Sequence, residues 1–210
     1  MSSTRTNFTV LMIGAAILMM GQGLLVTLLP VRGALEGLST TWIGYMGSAY
    51  YGGFAIGCLI GPGMIRNVGH IRVFAGFAAL TAAATLLFEL LPSQWAWVAT
   101  RGFTGVCFAI LSMAIESWLN ELSNNKNRGR ILSVYIIVGN IMIASGQLML
   151  NLRDPASSTL FILGALMICI SLAPISLSTI TEPSAPPSAK LRIGALYKLS
   201  PVGFVGCLAF

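Results

Sequence analysis

The chain has 210 residues, of which 56% are hydrophobic and only 9% are charged. A soluble domain ordinarily carries about 25% charged residues, so this composition excludes a soluble globular fold and indicates that the solvent is lipid. The net charge of +6 does not indicate a nucleic-acid partner, because the positive residues cluster between apolar runs, as the topology of membrane proteins requires.

Six apolar runs are long enough to cross a bilayer as helices, which takes roughly 20 residues each. The runs are continuous, whereas the strands of a membrane barrel alternate over about 10 residues. The sequence therefore predicts an all-α membrane protein with a bundle of six transmembrane helices. In chain order the six predicted spans are Phe8–Val31, Trp42–Ile65, Val73–Leu91, Trp95–Ile115, Ile131–Leu150 and Thr159–Leu177.

The distribution of Lys and Arg predicts which side of the membrane each connection faces. If the N-terminus is cytoplasmic, nine Lys and Arg residues lie in inner segments and two, Arg32 and Arg153, lie in outer loops. Positive residues accumulate on the cytoplasmic side of membrane proteins. The sequence therefore predicts a multi-pass protein of the plasma (inner) membrane with a cytoplasmic N-terminus.

Three segments follow from this pattern along the chain. Residues 1–182 form the predicted bundle, and residues 183–200 form a predicted cytoplasmic linker that is rich in Pro, Ser and Ala. Residues 201–210 begin another apolar run that is too short to span. We expect a seventh transmembrane helix to start there, which makes the chain a fragment; a short segment lying at the membrane interface is the alternative.

The fourth span carries ionisable side chains, which cost about 2.5–3.5 kcal/mol each at the centre of a membrane helix. Arg101, Gly105, Phe108, Ser112 and Glu116 follow one another at spacings of four, three, four and four residues. These spacings place all five on one helix face. The pattern predicts that this face lines a water-filled path; the alternative is that both charged side chains extend to the headgroups.

Amide side chains occur in two other spans. Ser133, Asn140 and Gln147 are seven residues apart each time, so they share a face of the fifth span, and Gln22 lies in the first span. Such side chains bind a polar solute or join two helices by hydrogen bonds. We place Gln22, Asn140 and Gln147 with Arg101 and Ser112 in a predicted substrate and coupling cavity.

Glycine spacing predicts where helices approach one another closely. Gly53, Gly57 and Gly61 recur every fourth residue in the second span, and Gly105 lies in the fourth span. Glycines at this spacing allow the backbone of another helix to come near. The sequence therefore predicts that these four residues are helix-packing positions.

Two local motifs, together with the six spans and the charged linker, resemble the N-terminal half of the major facilitator superfamily. The loop Pro62-Gly-Met-Ile-Arg-Asn-Val-Gly-His-Ile-Arg72 resembles the family's loop motif of glycines, an acid and bases. Gly69 matches the second glycine, and Arg72 supplies a base just past the final basic positions. Pro62 stands where the first glycine belongs, and Arg66 stands where the family has an aspartate. The segment Arg101-Gly-Phe-Thr-Gly105 resembles the Arg-x-x-x-Gly signature of the family's fourth helix.

The resemblance implies an arrangement and a mechanism. In this family the first and fourth helices line a central cavity, the second and fifth lie beside them, and the third and sixth are peripheral. The arginine of the fourth helix is linked to proton coupling, a role that the match transfers to Arg101. The implied partners are the lipid bilayer, a small-molecule substrate, protons and a C-terminal half of six helices that this sequence lacks, with no cofactor, metal or nucleic acid.

An acid and two bases are predicted to lie at the cytoplasmic level of the bundle. Glu116 is at the inner end of the fourth span, and Arg66 and Arg72 flank Gly69 in the loop after the second span. We expect Glu116 to pair with Arg66 or Arg72 when the cytoplasmic side is closed. The four residues form the predicted cytoplasmic gate.

The function that this pattern predicts is secondary active transport of a small solute by alternating access, coupled to protons. An intramembrane enzyme is disfavoured, because the only histidine, His70, and the only aspartate, Asp154, lie in loops. The alternative is a six-helix membrane subunit or channel-like protein that acts as a homodimer. Asn, Gln, Tyr and one Arg suit sugars, drugs, amino acids or small anions, so the sequence leaves the substrate open.

Overall fold

A computed structural model of the protein describes residues 2–91, 93–124 and 126–176, with side chains from residue 8 onward. Within these residues the chain is helical and contains no strand. The predicted linker at residues 183–200 and the predicted seventh helix at residues 201–210 lie outside the described residues.

Each of the six predicted spans corresponds to a helical segment of the structure. The sixth span consists of two helices in tandem, α6 and α7, and a 3-10 turn over Met149–Leu152 follows α5. The helices are α1 (Ser2–Leu35), α2 (Thr40–Val68), α3 (His70–Leu90), α4 (Gln94–Glu121), α5 (Arg128–Leu148), α6 (Thr159–Ile170) and α7 (Leu172–Ser176).

Five segments of the structure are both long and apolar enough to cross a membrane. They lie in α1, α3, α4, α5 with its 3-10 turn, and α6 with α7. Helix α2 has 29 residues, which is long enough, but it is not among these five segments, because its glycines and tyrosines lower its hydropathy. It packs along α4.

Two glycines with left-handed backbone allow the tight connections at either end of α2. Gly37 has φ of 79° between α1 and α2, and Gly69 has φ of 97° between α2 and α3. Only glycine adopts such values without steric strain. Because Gly69 alone separates two helices, the chain reverses within one residue at the place where the loop motif supplies its second glycine.

The helices pack in a pattern that repeats after three helices. The most extensive contacts join α2 to α4 and α1 to α5, followed by α3 with α4 and with α6, and by α1 with α6. Suppose that α1 is equivalent to α4, α2 to α5 and α3 to α6. The α1–α5 contact then corresponds to the α4–α2 contact, and the α1–α6 contact corresponds to the α4–α3 contact. The tertiary structure thus shows a three-plus-three relationship that residue matching did not reveal.

The core lies around α1 and α4, the two most buried spans, whereas α5 has the least buried surface. Large side chains that are fully buried include Leu18, Phe88, Leu111, Trp118 and Phe161. Lipid tails are as apolar as these side chains, so moving the side chains from lipid into the bundle gains no hydrophobic free energy. Close packing and hydrogen bonds between helices stabilise such a bundle instead.

Candidate substrate cavity

Arg101 lies inside the bundle, two turns into α4, and only 7% of its surface is exposed. Its guanidinium carbon lies 4.1 Å from the centre of the Tyr50 ring on α2. A guanidinium over an aromatic face at this distance makes a cation–π contact. The positive charge is therefore held toward α2, away from the lipid.

The same tyrosine connects α2 to α1. The side-chain amide of Gln22 donates a hydrogen bond of 2.8 Å to the Tyr50 hydroxyl oxygen, and both residues are buried. The sequence predicted Gln22 and Arg101 as cavity residues without placing them together. It missed Tyr50. The adjacent pair Tyr50 and Tyr51 in a glycine-rich span could have indicated it, because a buried tyrosine hydroxyl usually has a hydrogen-bond partner.

A cavity of about 170 Å³ opens beside this Gln22–Tyr50–Arg101 cluster. It lies between α1, α2 and α4, toward the ends where α1 stops and α4 starts. Its wall is largely apolar, and Arg101 provides its charge. The lining residues are Val26, Leu29, Pro30, Ile43, Met46, Gly47, Tyr50, Tyr51 and Arg101.

Glycines make the approach of Tyr50 to Arg101 possible. A side chain at Gly53 would collide with the carbonyl oxygen of Gly102, and a side chain at Gly105 would collide with the carbonyl oxygen of Tyr50. A Cβ at Gly57 would lie 2.6 Å from the carbonyl oxygen of Val106, which is also too close. The backbones of α2 and α4 therefore nearly touch beside the cavity.

Gly61, the last glycine of the predicted packing series, has a looser contact. A Cβ there would lie 3.0 Å from the sulfur of Met113 on α4, a flexible side chain that could shift. The structure thus brings all four predicted packing glycines to the same α2–α4 contact, but the crossing is tightest at Gly53 and Gly105.

The amides of α5 lie elsewhere. Ser133, Asn140 and Gln147 are exposed, whereas Gly146 on the opposite face packs against the backbone of α1. The structure therefore does not bring Asn140 and Gln147 to the cavity beside Arg101. The reason is that small residues form the α5–α1 contact, and this turns the polar face of α5 away from the bundle.

Ser112 and Glu116 also lie apart from the cavity. Ser112 is half-buried, and Glu116 is exposed near the far end of α4. The predicted continuous polar face of α4 is interrupted, because α2 covers Gly105.

The predicted gate residues are not joined by ion pairs in the described part of the chain. Arg66 and Arg72 are exposed, and neither forms an ion pair with Glu116 in the part of the chain that the structure describes. Instead, His70 docks the start of α3 on α4: its Nε2 lies 3.1 Å from the Ser117 hydroxyl oxygen, and its ring is buried near Trp118. The sequence treated His70 only as a loop residue.

A second polar cluster ties the opposite end of the bundle together. Arg32, at the end of α1, forms ion pairs with Glu36 at 2.9 Å and with Glu89 of α3 at 3.5 Å. It also donates hydrogen bonds to the carbonyl oxygens of Pro155 and Ala156 in the α5–α6 connection. From the sequence we had counted Arg32 only as an outer-loop charge.

Long apolar helices around a buried arginine and a small cavity define a helical multi-pass membrane protein. The family model of the Major Facilitator Superfamily matches residues 11–207, so the chain belongs to that superfamily. This confirms the resemblance drawn from the two motifs and the order of the spans.

Two curated relatives give the same classification. An uncharacterised MFS-type transporter of Enterobacter sp. (strain 638) is 30% identical over 151 residues, which cover 72% of this chain and 40% of the relative. The uncharacterised MFS-type transporter YcaD of Escherichia coli (strain K12 / DH10B) has the same identity and coverage. The matched part of the chain thus spans about two fifths of the length of these relatives.

Proposed function

We propose that this chain is the N-terminal half of a secondary active transporter, which moves a small solute across the membrane by alternating access. The observation that carries the proposal is the buried Arg101 beside a cavity between α1, α2 and α4, in a chain of a family whose relatives bear the name of transporters. A buried charge in a membrane helix is expensive and is ordinarily kept for function.

The second half of the site is proposed to come from another six-helix bundle. Helices α2 and α5 present large apolar residues outward, including Tyr51, Leu59 and Ile137, next to the exposed polar residues Asn140 and Gln147 of α5. Transporters of this type hold substrate near the membrane midplane, between two bundles that rock against each other. Asn140 and Gln147 would then face the interface between the bundles.

The same exposed faces fit a second copy of this chain, which is the alternative of a homodimeric six-helix subunit. The two possibilities differ in mass: native mass spectrometry from detergent would give one long polypeptide in the first case and two identical chains in the second.

We further propose that transport is coupled to protons through Arg101 and that the N-terminus is cytoplasmic, in the plasma (inner) membrane. The gate would consist of Arg66, Gly69, Arg72 and Glu116, at the ends of α2 and α4. The exposed carboxylate of Glu116 and the exposed guanidinium groups of Arg66 and Arg72 are free to approach one another when the bundle tilts. The left-handed backbone of Gly69 keeps the loop short enough for that approach.

Cysteine accessibility in membrane vesicles tests alternating access. In a variant whose four cysteines are replaced by alanine, Gly47→Cys reports on the Arg101 cavity, and Ser112→Cys reports on the opposite half of α4. We expect an impermeant maleimide to label Gly47→Cys only from outside and Ser112→Cys only from inside. A bulky label at the first position should lower labelling of the second about tenfold, since one state would be trapped.

Two further cysteine variants test the membrane orientation, and Arg101→Gln tests the coupling to protons. Arg153→Cys should react only from outside and Lys126→Cys only from inside, which checks the orientation. A pH gradient should change the ratio of the two labelling rates in the parent but not in Arg101→Gln. Labelling of Ser112→Cys from both sides at once would indicate a channel and would contradict the proposal.

A further inference from the structure

We propose that the cavity beside Arg101 binds an organic anion, whose negatively charged oxygens contact the guanidinium and whose apolar body lies against α1 and α2. The inference rests on the proposed function and names the substrate class of the same cavity.

Arg101 is more than nine-tenths buried, and across the described residues it forms no ion pair. The guanidinium carbon lies 4.1 Å from the centre of the Tyr50 ring. The ring covers one flat face of the guanidinium and does not accept hydrogen bonds from its N–H groups, which point outward in the guanidinium plane. The cavity wall contains no acidic side chain. Among the described residues the charge of Arg101 therefore has no anionic partner.

A buried charge without a partner is strongly unfavourable, and a cation–π contact offsets only part of that cost. An anion in the cavity would supply the missing negative charge. The guanidinium is planar and presents its donors as a fork that matches a carboxylate in a bidentate geometry. A cationic solute at the same place would be repelled, and a neutral amide would leave the charge unbalanced.

The shape and lining of the cavity select the rest of the ligand. Its volume is about 170 Å³, and an apolar cavity of roughly 150 Å³ is large enough to hold benzene. Val26 and Leu29 from α1 and Met46 and Tyr51 from α2 offer apolar and aromatic surface beside the charge. A small carboxylate with an apolar or aromatic body, such as benzoate, fits this combination.

Thermal unfolding of the complete protein in detergent tests the inference with three probes of similar shape. We expect benzoate to raise the Tm in a saturable manner, whereas neutral benzamide and cationic benzylamine leave it unchanged. Arg101→Gln should abolish the benzoate shift, and Arg101→Lys should weaken apparent affinity about tenfold, because an ammonium lacks the planar fork. Arg153→Gln, which removes an exposed arginine, should bind benzoate as the parent does.

A cavity-filling variant keeps the test informative if Arg101→Gln folds poorly. Gly47 lines the cavity, and a Cβ there would meet no atom within 4 Å, so Gly47→Leu should fold and should reduce benzoate binding while leaving Arg101 in place. A benzylamine shift as large as that of benzoate would overturn the inference. An unchanged benzoate shift in Arg101→Gln would also overturn it. So would the absence of a benzoate shift in the parent, which is the result expected if a carboxylate of a second bundle already neutralises Arg101.

The two proposals fail in different ways. If the vesicle labelling shows alternating access but benzoate does not bind, only the anion assignment is lost. If benzoate binds through Arg101 but the two labelled positions do not depend on each other, the cavity is a binding site in a protein that does not alternate.

Discussion

Gly53 and Gly105 are the residues at which two helices come closest beside the cavity. Without side chains, they let the backbone of α2 approach that of α4 and bring Tyr50 over the guanidinium of Arg101. A single methyl group there would separate the helices, and the cation–π contact would lengthen with them.

Gly53→Ala is therefore expected to destabilise the bundle although alanine is the better helix former by about 1 kcal/mol. Overpacking costs typically 1–3 kcal/mol, which at about 2–4 °C for each kcal/mol lowers the Tm by several degrees. Gly52→Ala is the matched control, because a Cβ at that adjacent position would meet nothing within 4 Å. Thermal unfolding in detergent measures both. Equal Tm values for the two variants would show that α2 and α4 are not in close contact.

At the scale of elements, Arg32 connects three parts of the chain at one end of the bundle. Its pair with Glu36, just beyond the end of α1, is solvent-exposed on the Glu36 side and contributes little. The pair with Glu89 and the hydrogen bonds to the carbonyl oxygens of Pro155 and Ala156 cross between elements. They hold the α5–α6 connection against the ends of α1 and α3.

Arg32→Gln should loosen the α5–α6 connection without unfolding the helices. Hydrogen bonds from a charged group contribute about 1.5–3 kcal/mol, so amide exchange over residues 153–158 should become roughly tenfold faster or more. Hydrogen exchange with mass spectrometry measures this. Arg128→Gln, an exposed arginine at the start of α5, is the control and should leave the loop unchanged. Identical exchange in both variants would mean that Arg32 does not restrain the connection.

At the scale of the whole molecule, the bundle is unevenly covered. Helices α1 and α4 are well buried, whereas only 17% of the α5 span is buried. The three-plus-three pairing places α2 and α5 at equivalent positions, and both carry exposed apolar side chains. Lipid or a second bundle could cover these faces, and the polar residues of α5 favour a protein partner.

A photo-crosslinking amino acid at position 137 distinguishes these two environments in native membranes. Ile137 lies on the exposed face of α5, and we expect cross-linked peptides from another transmembrane segment. The control is position 87 on α3, where an exposed leucine should cross-link only to lipid. Mass spectrometry identifies the products. Lipid adducts alone at position 137 would contradict the two-bundle arrangement.

Most of the fold could be predicted from the sequence, but only part of the candidate site. Apolar length located every span, and the glycine series predicted a close helix contact, since both signals are local. Gln22 and Arg101 were found because polar side chains in hydrocarbon are rare and costly. Tyr50 and His70 were missed: each acts through a partner on another helix, and sequence spacing on one helix says nothing about that partner.

The sequence by itself determined that the chain is a bundle of membrane helices, because hydrophobic length and glycine spacing depend only on residues near one another in the chain. Only the tertiary structure decided that Gln22, Tyr50 and Arg101 form one cluster, and that Asn140 and Gln147 face away from it. Helical periodicity defines which residues share a face, but the partner of that face depends on how the backbones approach, and small residues on distant helices set that approach.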